Sequence, residues 1–190
     1  MSQQELLKKV VKTLEKNIIP YMITGSIASS LQGEPRSTHD IDVVINITEG
    51  DIVKIVNAFR QLNFYIDEGA VLKAIEKKST FNIIDVHEGN KVDFWILSNS
   101  EFDKSRFMRR ISEKIMGIEI FVSAPEDTIL AKLRWAKLSG GSEKQFSDAL
   151  RVYEIQYGHL DMKYLGVWVK KLYIDSFWER LKKEAKTIKE

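Results

Sequence analysis

Two aspartates separated by a single isoleucine, Asp40 and Asp42, lie in an apolar, β-branched stretch that runs on through Val43-Val44-Ile45. Side chains alternate along a strand, so residues two apart share a face. Both carboxylates therefore project from one side of a strand whose other residues favour burial. Neighbouring anions repel and are costly to desolvate, so the pair calls for a cation. Hard oxygen ligands suit Mg²⁺ or Mn²⁺ and not zinc. A third carboxylate, Asp93, stands in Lys91-Val92-Asp93-Phe94-Trp95, again mid-strand among apolar residues. With that strand beside the first, three carboxylates converge, as two metal ions roughly 3.5–4 Å apart require for in-line phosphoryl chemistry. Asp85, on the other arm of an expected hairpin, is the alternative third ligand. Upstream, Gly25-Ser26 ends one apolar run and opens a short helical one. Glycine there lets the backbone approach a ligand, and a helix N-terminus offers free N–H groups to a phosphate. Taken alone, each motif has a plainer reading: two solvated aspartates at a strand end, and an ordinary turn.

The elements that must position these groups follow from periodicity. Gln3–Lys16 reads as an amphipathic helix, with Leu6, Leu7, Val10, Val11 and Leu14 on one face. Strands are expected at Ile18–Thr24, Asp40–Ile47, Phe81–Val86, Lys91–Leu97 and Ile118–Val122. Helices are expected at Asp51–Leu62, Ala70–Lys77 and, basic in character, near Glu101–Ile111. The segment His87-Glu88-Gly89-Asn90 joins two strands as a hairpin. From Ser123 the pattern turns helical throughout. Pro125-Glu126-Asp127 opens a helix that runs to Leu138 and stops at Gly140-Gly141, since proline and acids suit a first turn. Further helices are expected at Glu143–Tyr157, Met162–Leu172 and Ser176–Ile188. The expected architecture is α/β (α+β): a mixed β-sheet with packed helices over residues 1–123, then a C-terminal helical bundle over residues 124–190.

Composition narrows the function classes. The 190 residues contain no cysteine, which excludes disulfide scaffolds, zinc ribbons and thiol catalysis, and the three histidines are scattered. No apolar run approaches the length of a membrane span and no signal-peptide core is visible, so a cytoplasmic protein without a membrane partner is expected. Net charge is +2, and residues 124–190 carry 13 Lys/Arg against 10 Asp/Glu, a mildly basic tail. Arg106, Arg109, Arg110 and Lys114 follow helical spacing and read as a solvated basic face, with an RNA backbone as the functional alternative. Trp135, Trp168 and Trp178 fall on helices, where aromatics serve the core more often than they stack on bases.

Met22-Ile23-Thr24-Gly25-Ser26, followed by Gly33-Glu34-Pro35-Arg36-Ser37-Thr38-His39-Asp40-Ile41-Asp42-Val43-Val44, resembles the signature of the polymerase-beta-like nucleotidyltransferases. The Arg-x-Thr-x-Asp-Ile-Asp wording is similar to the AbiEii-like, abortive-infection branch. So is Pro125-Glu126-Asp127 leading into Lys132-Leu133, with Asp148 on a later helix. The resemblance spans roughly residues 15–155 and implies transfer of a nucleotidyl group from a nucleoside triphosphate to an acceptor hydroxyl, with two Mg²⁺ or Mn²⁺ ions. It implies that Gly25 and Ser26 hold the triphosphate and that Asp40 and Asp42 bind both metals. Asp93 completes the second metal site and acts as base, Lys132 faces the phosphates, and Asp148 is the family's late aspartate. Arg36 either meets a phosphate or braces the loop before Asp40. The acceptor implied is RNA or a tRNA end, a protein side chain, or a small molecule. The resemblance also allows a catalytically lapsed nucleotide-binding protein, or a toxin-type component held by an antitoxin-like partner. Two departures stand out: His39 precedes the first aspartate, and Ser142–Asp148 lacks a Lys-Asp pair.

Overall fold

The computed structural model describes residues 2–36, 40–115 and 117–186. In chain order the elements are α1 (Gln3–Lys16), β1 (Tyr21–Thr24), α2 (Gly25–Gln32), β2 (Ile41–Ile45), α3 (Ile52–Arg60) and β3 (Phe64–Tyr65). Then follow α4 (Glu68–Lys77), β4 (Thr80–Asp85), β5 (Lys91–Ile96), α5 (Glu101–Met108), β6 (Ile111–Ile115) and β7 (Ile118–Val122). The chain ends with α6 (Pro125–Leu138), α7 (Glu143–Gln156), α8 (Met162–Lys171) and α9 (Asp175–Glu184). They form two compact units, Met1–Thr24 with Thr38–Val122 and Gly25–Ser37 with Ser123–Glu190. The helix α2 thus groups with the C-terminal helices, although it lies within the 1–123 stretch that the sequence assigns to the α/β part.

The first unit is built on a seven-stranded mixed sheet of order β3-β4-β5-β2-β1-β7-β6. The β2–β5 and β1–β7 pairs are parallel and the other pairs antiparallel. Strict alternation in β5 sends Val92, Phe94 and Ile96 inward and leaves Lys91, Asp93 and Trp95 on the opposite, partly open face. The inward face carries an aromatic core: Phe94 stacks on Phe81 at 5.2 Å and meets Phe59 at 5.6 Å, and Phe59 meets Phe64 edge-on at 5.7 Å. A smaller apolar cluster of Met22, Val44 and Phe107, with Trp95 and Leu97 against it, floors the other face. The helix α1 starts at a capping box in which the Glu5 amide donates to Ser2 Oγ (3.2 Å) and the Ser2 amide to Glu5 Oε2 (2.7 Å). Its Leu6, Leu7, Val10, Val11 and Leu14 are buried. Tyr21 ties the sheet together, its hydroxyl donating to Glu15 (3.0 Å) and accepting from the Phe121 amide (3.4 Å).

Sequence and structure part company at two places in this unit. Strands β3 and β6 were not expected from the sequence, and the basic segment is not one helix: α5 stops at Met108, and Lys114 lies in β6. Arg106, Arg109, Arg110 and Lys114 therefore do not share a helical face. Arg110 instead stacks over Phe107 (4.4 Å) and Phe121 (5.1 Å) and donates to the Phe107 carbonyl.

The second unit is helical. Pro125 opens α6 with Glu126 and Asp127 in its first turn. Both acids are buried and hold neighbouring chain: the Asp161 amide donates to Glu126 (2.9 Å) and the Tyr164 hydroxyl to Asp127 (2.6 Å). Gly140 and Gly141 have φ of +70° and +96°, which lets the chain reverse into α7. The helix α2 lies close on α7: a side chain on Gly33 would meet backbone atoms of Ser29 and Val152 at 2.9 Å. Trp168 and Trp178 are buried, the latter edge-on to Tyr153, whereas Trp135 is half exposed. No helix among the described residues is long and apolar enough to cross a membrane.

Candidate active site

The parallel register of β2 on β5 sets Asp42 directly opposite Asp93, with Val44 opposite Trp95 one step further along the same face. Register partners on adjacent strands share a face and lie about 4.8 Å apart across the sheet. Asp40 stands two residues before Asp42, just outside β2, and is exposed. Two further side chains of the face hold the pair. The Trp95 indole N–H donates to Asp42 Oδ1 (3.2 Å), and Lys91 Nζ lies 2.9 Å from Asp93 Oδ2. The Lys91 ammonium is held above its ordinary value first by the bond to Asp93, then by the charges of Asp93, Asp40 and Asp42, against a lowering by partial burial.

Asp85 is not part of this arrangement. Its neighbour Ile84 pairs with Lys91 and so lies on the aspartate face, which puts Asp85 on the other one. There it is buried and accepts the amides of His87 (2.9 Å) and Glu88 (3.1 Å), closing the hairpin. Among the described residues, no three His, Asp or Glu side chains are gathered tightly enough to hold a metal. Among the described residues, the Lys91 ammonium is a cation on the aspartate face. Still, two hard carboxylates in register with a cation already drawn to them are a donor set that suits a Mg²⁺-like ion, and Asp40 stands within one strand step.

The turn at Gly25 opens α2 and begins the second unit. Gly25 has φ of +64°, a conformation that costs an L-residue about 1–2 kcal/mol, so glycine is favoured at this turn. Ser26 Oγ accepts from Arg36 Nη2 (2.8 Å). The same guanidinium grips Asp148 with two further bonds, Nε to Oδ1 (2.8 Å) and Nη2 to Oδ2 (2.7 Å). Lys132 Nζ also donates to Asp148 Oδ2 (2.7 Å). Asp148 and Lys132 are 8% and 5% exposed, so this is an internal ion cluster. Burial pulls the Asp148 carboxyl up, but the bonds from Arg36 and Lys132 outweigh it and hold Asp148 below the usual carboxylate range.

Of the site residues read from sequence, Asp42 and Asp93 are thus brought together, with Asp40 beside them. Ser26, Arg36, Lys132 and Asp148 form a second connected set, in which the Lys132 ammonium is on Asp148. Of the motif residues, Ser37, Thr38 and His39 lie outside the described residues. Two members of the aspartate face were missed, Lys91 and Trp95. Their signal was present in the numbering, since 91, 93 and 95 must share a face once Asp93 is placed on a strand.

No family profile matches the sequence, and no curated protein sequence matches it. Solved structures do match, and they define a nucleotidyltransferase-like fold for this chain. One is ANT(2'')-Ia in complex with adenylyl-2''-tobramycin (TM-score 0.61, 14% identity, covering 95% of this chain and 99% of that one). Another is the lincosamide antibiotic adenylyltransferase LnuA, lincomycin-bound (TM-score 0.57, 13% identity, 82% and 98% covered). A third is an antigenic nucleotidyltransferase-like protein from Paracoccidioides brasiliensis (TM-score 0.57, 16% identity, 96% and 93% covered). At such identities the likeness shows the fold alone.

Proposed function

We propose that the protein is a metal-dependent nucleotidyltransferase that moves a nucleoside monophosphate from a nucleoside triphosphate to an acceptor hydroxyl and releases pyrophosphate. The observation that carries this reading is the in-register Asp42–Asp93 pair on neighbouring parallel strands, with Asp40 two residues away. Nothing in the packing of a sheet calls for two carboxylates side by side, whereas phosphoryl chemistry does. The Arg-x-Thr-x-Asp-Ile-Asp wording further supports the AbiEii-like branch within the superfamily.

In this reading Asp40, Asp42 and Asp93 hold Mg²⁺ or Mn²⁺, which when bound neutralises phosphate charge. The Trp95 indole N–H bonds Asp42 Oδ1 and so helps to orient that carboxylate. Gly25 and Ser26 take the triphosphate, the glycine by allowing close backbone approach and the serine by its hydroxyl. Asp93 accepts the proton of the acceptor hydroxyl as the acceptor oxygen bonds to the α-phosphorus and the bond to pyrophosphate breaks. Most of the acceleration comes from positioning and charge stabilisation.

The acceptor belongs to one of three classes: an RNA or tRNA end, a protein side chain or a small molecule. The aminoglycoside and lincosamide found with two structural neighbours belong in any acceptor panel. A second reading, a lapsed site that binds nucleotide or pairs with an antitoxin-like protein, has one observation in its favour, the Lys91 ammonium seated on Asp93. Calorimetry of Mg-nucleotide binding to wild type and Asp42→Ala tests the proposal. Binding that vanishes in the variant supports it, and identical binding isotherms rule out the assigned site.

A further inference from the structure

The buried ion cluster behind Ser26 carries more than the assignment of nucleotide contacts. Arginine has five N–H donors and no acceptor, so the 2.8 Å contact occupies a lone pair of Ser26 Oγ and leaves the hydroxyl proton to be directed away from the guanidinium. Arg36 is fixed in turn by its two bonds to Asp148, and its carbonyl accepts the Ser30 hydroxyl (3.4 Å) within the same short stretch of chain. Asp148 is fixed by Lys132, a residue only 5% exposed. A buried ammonium committed to a buried carboxylate is poorly placed to serve as a free counter-charge for a ligand, because leaving that carboxylate strands both charges.

We propose that Lys132, Asp148 and Arg36 are a positioning relay that orients the Ser26 hydroxyl as a hydrogen-bond donor to phosphate, and that Lys132 and Asp148 do not themselves touch the nucleotide. The inference rests on the reading of Ser26 as a phosphate contact and deepens it. Asp148 aims the guanidinium, the guanidinium aims the hydroxyl, and Lys132 keeps Asp148 ionised and in place. Arg36 is the exposed end of the relay, with 30% of its side chain accessible. It can be removed while the Lys132–Asp148 pair stays neutralised inside.

The test is a set of double-mutant cycles on the full chain, read as the affinity for inorganic triphosphate with Mg²⁺ by calorimetry. Ser26→Ala loses a hydrogen bond to a charged group, for which a weakening of about tenfold or more is expected. Arg36→Gln should weaken binding to a similar extent, and the Ser26→Ala/Arg36→Gln double variant should be no weaker than Ser26→Ala alone. Lys132→Met/Asp148→Asn, which leaves neither buried charge, should weaken binding in the wild-type background but change it less than about twofold in Arg36→Gln, because its effect passes through Arg36. If Lys132→Met/Asp148→Asn costs the same factor in both backgrounds, the pair acts on the phosphates independently of Arg36 and the relay is wrong. Additive losses from Ser26→Ala and Arg36→Gln overturn the relay while leaving Ser26 as a phosphate contact. A Ser26→Ala variant that binds triphosphate as well as wild type overturns both that contact and the relay built on it.

Discussion

On one sheet face an indole N–H bonds Asp42 and an ammonium pairs with Asp93, and the difference between those partners predicts different variants. Asp42→Ala removes one of two adjacent anions and one hydrogen bond from a half-buried indole. Its metal-free stability should stay within about 1 kcal/mol of wild type, by chemical denaturation, because the two effects oppose each other. Its affinity for Mn²⁺ should nevertheless fall by at least about tenfold, since a missing anionic ligand is not replaced. Asp148 predicts a pH dependence. Its folded value lies below its unfolded one, so the stability it contributes is present above the ordinary carboxylate range near 3.9 and is lost as the pH falls through the lower, folded value. Acid unfolding of wild type should therefore be steeper below about pH 4 than that of Asp148→Asn/Lys132→Met, in which neither buried charge remains. Equal slopes would show that Asp148 does not carry this dependence.

At the scale of elements, α2 depends on close approach and on one turn. A methyl group on Gly33 would meet Ser29 O and Val152 N at 2.9 Å and Arg151 C at 3.1 Å, all backbone atoms that cannot swing aside. Gly33→Ala should lower stability by about 1–3 kcal/mol, visible as a drop in melting temperature, as overpacking of a tight contact does. An unchanged melting point would mean that α2 and α7 separate freely. How far the sequence revealed these elements depended on periodicity. The helix α1 was legible to the residue because five apolar positions repeat at helical spacing between lysines. Strands β2 and β5 were legible from β-branched and alternating runs, and with them the Asp42–Asp93 pair. Strand β6 was not: it is an edge strand whose Ser112, Glu113 and Lys114 are exposed, and three polar residues in a row resemble a solvated helix face. Nor could periodicity foresee that Lys132 and Asp148 would meet, because a long-range ion pair leaves no local pattern.

For the molecule as a whole, the fold narrows the chemistry and leaves the acceptor to charge and trial. The mildly basic stretch from residue 124 onward predicts that, if RNA is the acceptor, binding weakens with salt by a log–log slope of about 0.7–0.9 for each phosphate contacted. The excess is only 13 basic against 10 acidic side chains, so few contacts and a shallow slope are expected. The central claim is that the aspartate face of the sheet catalyses nucleotidyl transfer, and one measurement addresses it most directly. Each of the four α-labelled nucleoside triphosphates is incubated with the protein, Mg²⁺ or Mn²⁺, and a panel of total RNA, protein, aminoglycoside and lincosamide acceptors. Label should pass to one acceptor class, chelation with EDTA should abolish the transfer, and Asp93→Asn should reduce it at least about a hundredfold while still binding the nucleotide. Label transfer that persists in Asp93→Asn, or that proceeds equally well in EDTA, would contradict it.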